Sequence, residues 1–158
     1  MIVITRDLHL ISDFLLTPEI FRYAAEFGVS KESLCLDSID KNEVWLAYII
    51  NDRMVGLINL EKTSGCAVKI HPYILKEHKV SYKAMIRECY TFIGNNIIGC
   101  VKVNAVIACK FKRTIEIAKE LGMKVEGEIR DNYQVSENEV CDSIFLGITK
   151  DEMVEYYG

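Results

Sequence analysis

Leu121-Gly122-Met123-Lys124-Val125-Glu126-Gly127-Glu128-Ile129-Arg130 joins the end of one helix directly to the start of a strand. Upstream of it, Phe111, Ile115, Ala118 and Leu121 recur at helical spacing and make one apolar stripe. Gly122 stands where that helix needs a left-handed C-terminal cap, a conformation that costs little for a residue without Cβ. Downstream, Val125 to Tyr133 and Val140 to Ile148 read as the two strands of a closing hairpin. From Asp151 onward the chain reads as a short helical tail.

Working back toward the N-terminus, Lys102 to Ala108 is a valine-rich strand. The spacing of Val80, Ala84, Met85, Cys89, Phe92 and Ile93 predicts an amphipathic helix from Lys79 to Asn95. Val44 to Ile50 and Met54 to Leu60 flank Asn51-Asp52-Arg53 and read as a hairpin. Cys66 to His71 makes a third strand, expected to stop at Pro72, since proline cannot donate to a ladder. Ile2 to Thr5 is a short first strand. Leu8 to Phe27 reads as helical, broken at Thr17-Pro18 and ended by Gly28. Residues 29–42 are polar and read as loop with at most a helical turn. Strands and helices mixed in this order predict an α+β class with a mixed sheet, not a regular alternation of parallel strands and helices.

At 158 residues, half of them hydrophobic, the chain is expected to form one domain, 1–158, with a full core. A net charge of −4 argues against a nucleic-acid binder, which needs a basic face. No apolar run approaches the roughly 20 residues that span a bilayer, so no membrane is expected. Met1 to Asp7 does not read as a secretory leader. The six cysteines show no CxxC spacing and mostly sit in apolar stretches. They read as reduced, packed thiols in a cytoplasmic protein. The three histidines are scattered, and no zinc signature, nucleophile motif, P-loop or dinucleotide fingerprint occurs, so no metal is expected. The acidic tail, Asp151-Glu152 with Glu155, reads as a solvated end, with a homodimer as the assembly it would allow.

The run from Leu121 to Arg130 resembles the stretch after the fourth helix in the GNAT superfamily of N-acetyltransferases. Its wording is nearest to the branch that includes the ribosomal-protein N-terminal acetyltransferases. Trp45-Leu46-Ala47-Tyr48-Ile49-Ile50-Asn51-Asp52-Arg53-Met54-Val55-Gly56 is similar to that superfamily's second and third strands. The resemblance covers roughly residues 44–148. It implies a central mixed, mostly antiparallel sheet of about seven strands with about four helices. It also implies acetyl-coenzyme A as co-substrate, held in a slot where the fifth strand splays from the fourth, and an amine acceptor on a protein or small molecule.

The superfamily's pyrophosphate loop places backbone N–H groups and a helix N-terminus against an anion. Its pattern is Gln or Arg, two residues, Gly, one residue, Gly or Ala. The best overlay puts Lys76, Lys79 and Ser81 at those positions, with His78 and Val80 between them, and leaves the glycine absent. That divergent loop resembles small phage-encoded members. Lys112 stands where many members carry Asn, and Ala118 where many carry the Tyr that protonates the departing thiolate. Acetylating an amine also needs an oxyanion donor, here backbone near Ile70, and a base. No carboxylate lies between Gly65 and Pro72, so His71, which ends the fourth strand, is the candidate base. Glu61, Tyr90, Tyr133 and Ser143 are weaker candidates. A GNAT-shaped binding module without catalysis is the alternative reading.

Overall fold

The computed structural model describes residues 1–157. A seven-stranded sheet in the order β1-β2-β3-β4-β5-β7-β6 runs through it. Its strands are β1 (Ile2–Thr5), β2 (Glu43–Ile50), β3 (Arg53–Lys62), β4 (Ala67–Ile74), β5 (Lys102–Ala108), β6 (Lys124–Ser136) and β7 (Glu139–Thr149). Only the β4–β5 pairing is parallel. The helices are α1 (Leu8–Leu16), α2 (Pro18–Ala24), α3 (Tyr82–Asn96), α4 (Lys112–Glu120) and α5 (Lys150–Tyr157), the tail adding a fifth to the expected four. Two 3-10 segments, Lys31–Leu34 and Lys76–Ser81, precede β2 and α3. No helix among the described residues is long and apolar enough to cross a membrane.

Local chemistry explains the junctions. Asn51 and Asp52 both take positive φ, 49° and 61°, as the tight β2–β3 turn requires. Gly122 sits at φ 89°. There the Gly122 and Met123 N–H groups donate to the carbonyls of Lys119 and Ala118, closing α4 as a Schellman cap. Thus the helix end directs the chain straight into β6.

The sheet is covered on both faces. Even-numbered residues of the central strands, including Leu46, Ile58, Leu60, Val68 and Ile70, pack with Met85, Cys89 and Ile93 of α3 and with Ala118 and Leu121 beside α4. Trp45 and Leu57 point the other way, against Ile11, Phe14 and Leu15 of α1 and Ile20 of α2.

Three boundaries and the packing of the cysteines differ from the expectation. β4 does not stop at Pro72, which pairs with Ile58 inside the ladder. Hydrogen bonds from Leu75 N–H to Val55 and from Thr63 N–H to Ala67 show that the odd-numbered β4 residues bond β3. Pro72 therefore turns its nitrogen away from β3, where no donor is needed. Second, α3 starts at Tyr82 and not at Lys79, because Lys76–Ser81 winds with the tighter 3-10 repeat. The changed phase turns Val80 (94% exposed) and Ala84 to solvent, and Met85, Ile86, Cys89, Tyr90 and Ile93 form the buried stripe. Third, α2 ends at Ala24, before Phe27, as the following residues bond β6: Phe27 N–H donates to Gln134 and Tyr133 Oη to Ala25. Fourth, the cysteines are less uniformly packed than expected. All six are free thiols; Cys89 and Cys100 are buried, while Cys35 and Cys66 are exposed.

The corrected stripe sets a stability contrast. Met85 is fully buried, so Met85→Ala is expected to cost about 2–5 kcal/mol, whereas Val80→Ala should stay within about 0.5 kcal/mol. Urea unfolding of the two variants checks this; a comparable loss for Val80→Ala would restore the original phase.

Candidate functional site

Pairing of β4 with β5 extends only from Ala67↔Lys102 to Lys69↔Asn104. Beyond that rung the strands part, and a cleft of about 950 Å³ opens between them. Its walls come from β4 (Lys69 to Ile74), the end of β5, α3, the start of α4, α2 and β6. Positions on both sides are fixed from outside the cleft. Lys83 of α3 meets Glu120 of α4 at 2.6 Å, and Glu120 and Glu116 both hold Arg113, at 3.3 and 3.2 Å.

The β3–β4 register places Glu61 opposite Lys69 and Asn59 opposite His71, all on the α1–α2 face. Lys69 Nζ lies 2.7 Å from Glu61 Oε2, and His71 Nε2 lies 3.7 Å from the same oxygen. The Lys69 hydrogen bond, above all, holds the Glu61 carboxyl below its ordinary range. Burial is the main cause that holds the His71 imidazole below its ordinary value; Lys69 pushes the same way and Glu61 opposes both. A neutral imidazole on a cleft wall is an available proton acceptor. Asn59 and Asn104 flank this group, and the buried Asn59 Nδ2 and Asn104 Oδ1 have no protein partner. Tyr73, next along the wall, is pushed up to about 12, by burial first and then by Glu43, and so stays protonated.

At the α2–β6 side three aromatic rings meet. Phe111 lies edge-on to Tyr133 with centroids 5.7 Å apart, and Tyr23 lies 6.3 Å from Phe111. Lys79 Nζ stands 5.4 Å from the Tyr23 ring. Lys110 Nζ stands 4.9 Å from Phe111 and 4.6 Å from Tyr133.

Among the candidates, the structure brings Ile70, His71, Lys79 and Lys112 to one cleft, with Tyr90, Tyr133 and Ser143. Lys76, His78, Val80 and Ser81 do not line it. The Lys76 N–H bonds Glu19 Oε1 at 2.9 Å, His78 Nε2 lies 3.5 Å from Glu77, and Val80 faces solvent. The 3-10 geometry of Lys76–Ser81 accounts for this, because it sends successive side chains around a tight turn. Glu61 stands behind the wall, against His71. Lys69, Tyr73, Lys110, Phe111 and Arg113 line the cleft without having been singled out. One signal pointed to three of them: Lys110-Phe111-Lys112-Arg113 concentrates three cations where β5 hands over to a helix. Among the described residues, no group of His, Cys, Asp and Glu could hold a metal.

No protein-family model matches the chain, and no curated protein matches it in sequence. Solved structures do. Spermidine N-acetyltransferase from Vibrio cholerae, in complex with CoA and spermine, superposes with a TM-score of 0.77 at 15% identity, over 97% of this chain and 98% of that one. A chimera of the Vibrio cholerae enzyme SpeG with hSSAT gives a TM-score of 0.75 at 14% identity, over 98% of each chain. The fold is the GNAT fold. The parting of β4 from β5 after the third rung matches the splay that the resemblance implied. The structures named here carry that fold, and not the finer ribosomal-protein or phage-type wording.

Proposed function

We propose that this chain is an acetyl-coenzyme A-dependent N-acetyltransferase, one domain spanning residues 1–158. The observation that carries the reading is the parted β4–β5 wedge with His71 held neutral on its wall. The free thiols support a reducing, cytoplasmic setting. The finer branch, ribosomal-protein-like or phage-type, rests on the wording around Gly122 and on the missing glycine alone.

Lys79 and Lys112 suit the phosphates. Both line the cleft, and among the described residues neither has a carboxylate within 4.0 Å. Lys79 occupies the motif's glycine position. Its side chain runs toward Tyr23, so a donor replaces the lost backbone approach. Lys112 opens α4, whose first turn holds no acidic residue, and a phosphate there also meets the helix dipole.

In the transfer, His71 accepts a proton from the acceptor's ammonium. The freed amine nitrogen then attacks the thioester carbonyl carbon; the C–N bond forms, the C–S bond breaks, the nitrogen's second proton passes through water to the departing CoA thiolate, and His71 releases its own proton to solvent. Backbone groups of β4 beside Ile70, where the β5 ladder ends, face the developing oxyanion. A thiolate has an ordinary pKa of about 8.5, so water can protonate it and Ala118 in place of a tyrosine is no bar.

Thermal unfolding with and without acetyl-coenzyme A tests the reading. A ligand at about 100 times its Kd stabilises by roughly 2.7 kcal/mol, a rise of about 5–10 °C at this size. No shift at millimolar ligand would leave the GNAT-shaped binding module as the better reading.

A further inference from the structure

The cleft wall carries an amine of its own that the proposed transfer does not use. Lys69, Lys79, Lys110 and Lys112 all line the cleft. Lys79 precedes α3, and Lys110 and Lys112 lead into α4. Lys69 alone of these stands on β4, one residue before Ile70 and two before His71. It forms the last rung that β4 shares with β5, opposite Asn104, so it stands where the slot begins.

Three features prepare its Nζ. Alternation along β4 puts Lys69 and His71 on one face, on either side of the Ile70 backbone that faces the developing oxyanion. Glu61, directly opposite in the β3–β4 ladder, holds Nζ at 2.7 Å, so the long side chain gives up the rotamers that a free surface lysine samples. The same Glu61 oxygen lies 3.7 Å from His71 Nε2, so the amine and the proton acceptor share one contact atom. The Lys69 side chain keeps 27% of its surface exposed, open to what enters the cleft. A positioned amine competes at an effective concentration that a free acceptor does not reach in solution.

We infer that Lys69 is a self-acetylation site, whose Nζ takes one acetyl group from the co-substrate in its own cleft. The inference rests on the acetyltransferase reading above. The Lys69 ammonium passes a proton to His71 by way of Glu61 Oε2. Nζ then attacks the thioester carbonyl carbon; the C–N bond forms and the C–S bond breaks. The second proton of Nζ passes through water to the departing CoA thiolate, and His71 releases its own proton to solvent. The amide product carries no charge, so the ion pair with Glu61 ends and the site is closed to a second acetyl group.

The test is incubation with acetyl-coenzyme A and no added acceptor, followed over time by intact mass and peptide mapping. One acetyl group should appear on Lys69, at least about tenfold faster than on Lys76, whose side chain is exposed outside the cleft. His71→Ala should slow the Lys69 reaction by about tenfold or more and leave the Lys76 rate unchanged. Lys69→Arg keeps a cation opposite Glu61; it should lose the fast acetyl group while the acetyl-coenzyme A-induced rise in Tm persists. Lys69 left unacetylated, or acetylated no faster than Lys76, overturns the inference. An equal Lys69 rate in His71→Ala overturns it too, since uncatalysed acetylation needs no base on the wall. Loss of acetyl-coenzyme A stabilisation in the unaltered chain is a different failure: it removes the acetyltransferase reading itself.

Discussion

His71→Ala is expected to lower kcat by about 10²–10⁴-fold and to leave acetyl-coenzyme A binding unchanged. The loss falls on turnover because the imidazole accepts a proton and is assigned no contact with the phosphates. A second readout separates catalysis from structure. Burial and Lys69 hold the His71 pKa below its ordinary 6.5, so the neutral form prevails at pH 7. The acid limb of kcat should then lie below pH 6.5. The sign for stability follows likewise. A group whose folded pKa is depressed contributes fully above its unfolded value, and the contribution fades as pH falls through the folded one. Glu61 opposes the depression, so Glu61→Gln should move the acid limb to still lower pH. Normal turnover in His71→Ala would return the residue to a purely structural place in the β3–β4 ladder.

The second large effect is expected from Lys79→Glu combined with Lys112→Glu. Hydrogen bonds to charged groups contribute about 1.5–3 kcal/mol each, and each reversal adds repulsion to the loss. Affinity for acetyl-coenzyme A should fall by about 10²–10⁴-fold, read by isothermal titration. Lys76→Glu serves as the internal control. Its side chain is exposed and outside the cleft, so affinity should stay within about threefold. An equal loss in Lys76→Glu would show that the linear motif, and not the cleft, locates the pyrophosphate.

Much of the fold was legible because local chemistry and global pattern agree. Asn51-Asp52 turns the chain where positive φ is needed, and Gly122 caps α4 where Met123 must enter β6. The errors arose where a tertiary partner decided the outcome. Pro72 looked like a stop because its neighbours are invisible in sequence; in the ladder its nitrogen simply faces the unpaired side. Likewise Val80 matched a helical stripe, but the 3-10 turn before α3 shifted its phase. α2 ended early because β6, far along the chain, supplies partners to Ala25 and Phe27.

The site was legible in part. His71 and Lys112 stood out from residue type and position. Lys110, by contrast, is held on the cleft wall by two rings contributed by separate elements, and no linear spacing records that meeting.

The turned-away nitrogen of Pro72 has a consequence for solubility. A parted sheet exposes an edge in its own interior, and unpaired edges recruit foreign strands into aggregates. An intruding strand needs a donor at each rung, and Pro72 withholds one from the middle of this seam. One imino acid thus discourages both β5 and a neighbouring molecule from zipping the gap shut. Pro72→Val should still fold, and its cost should surface as aggregation at high concentration, by light scattering, more than as lost stability.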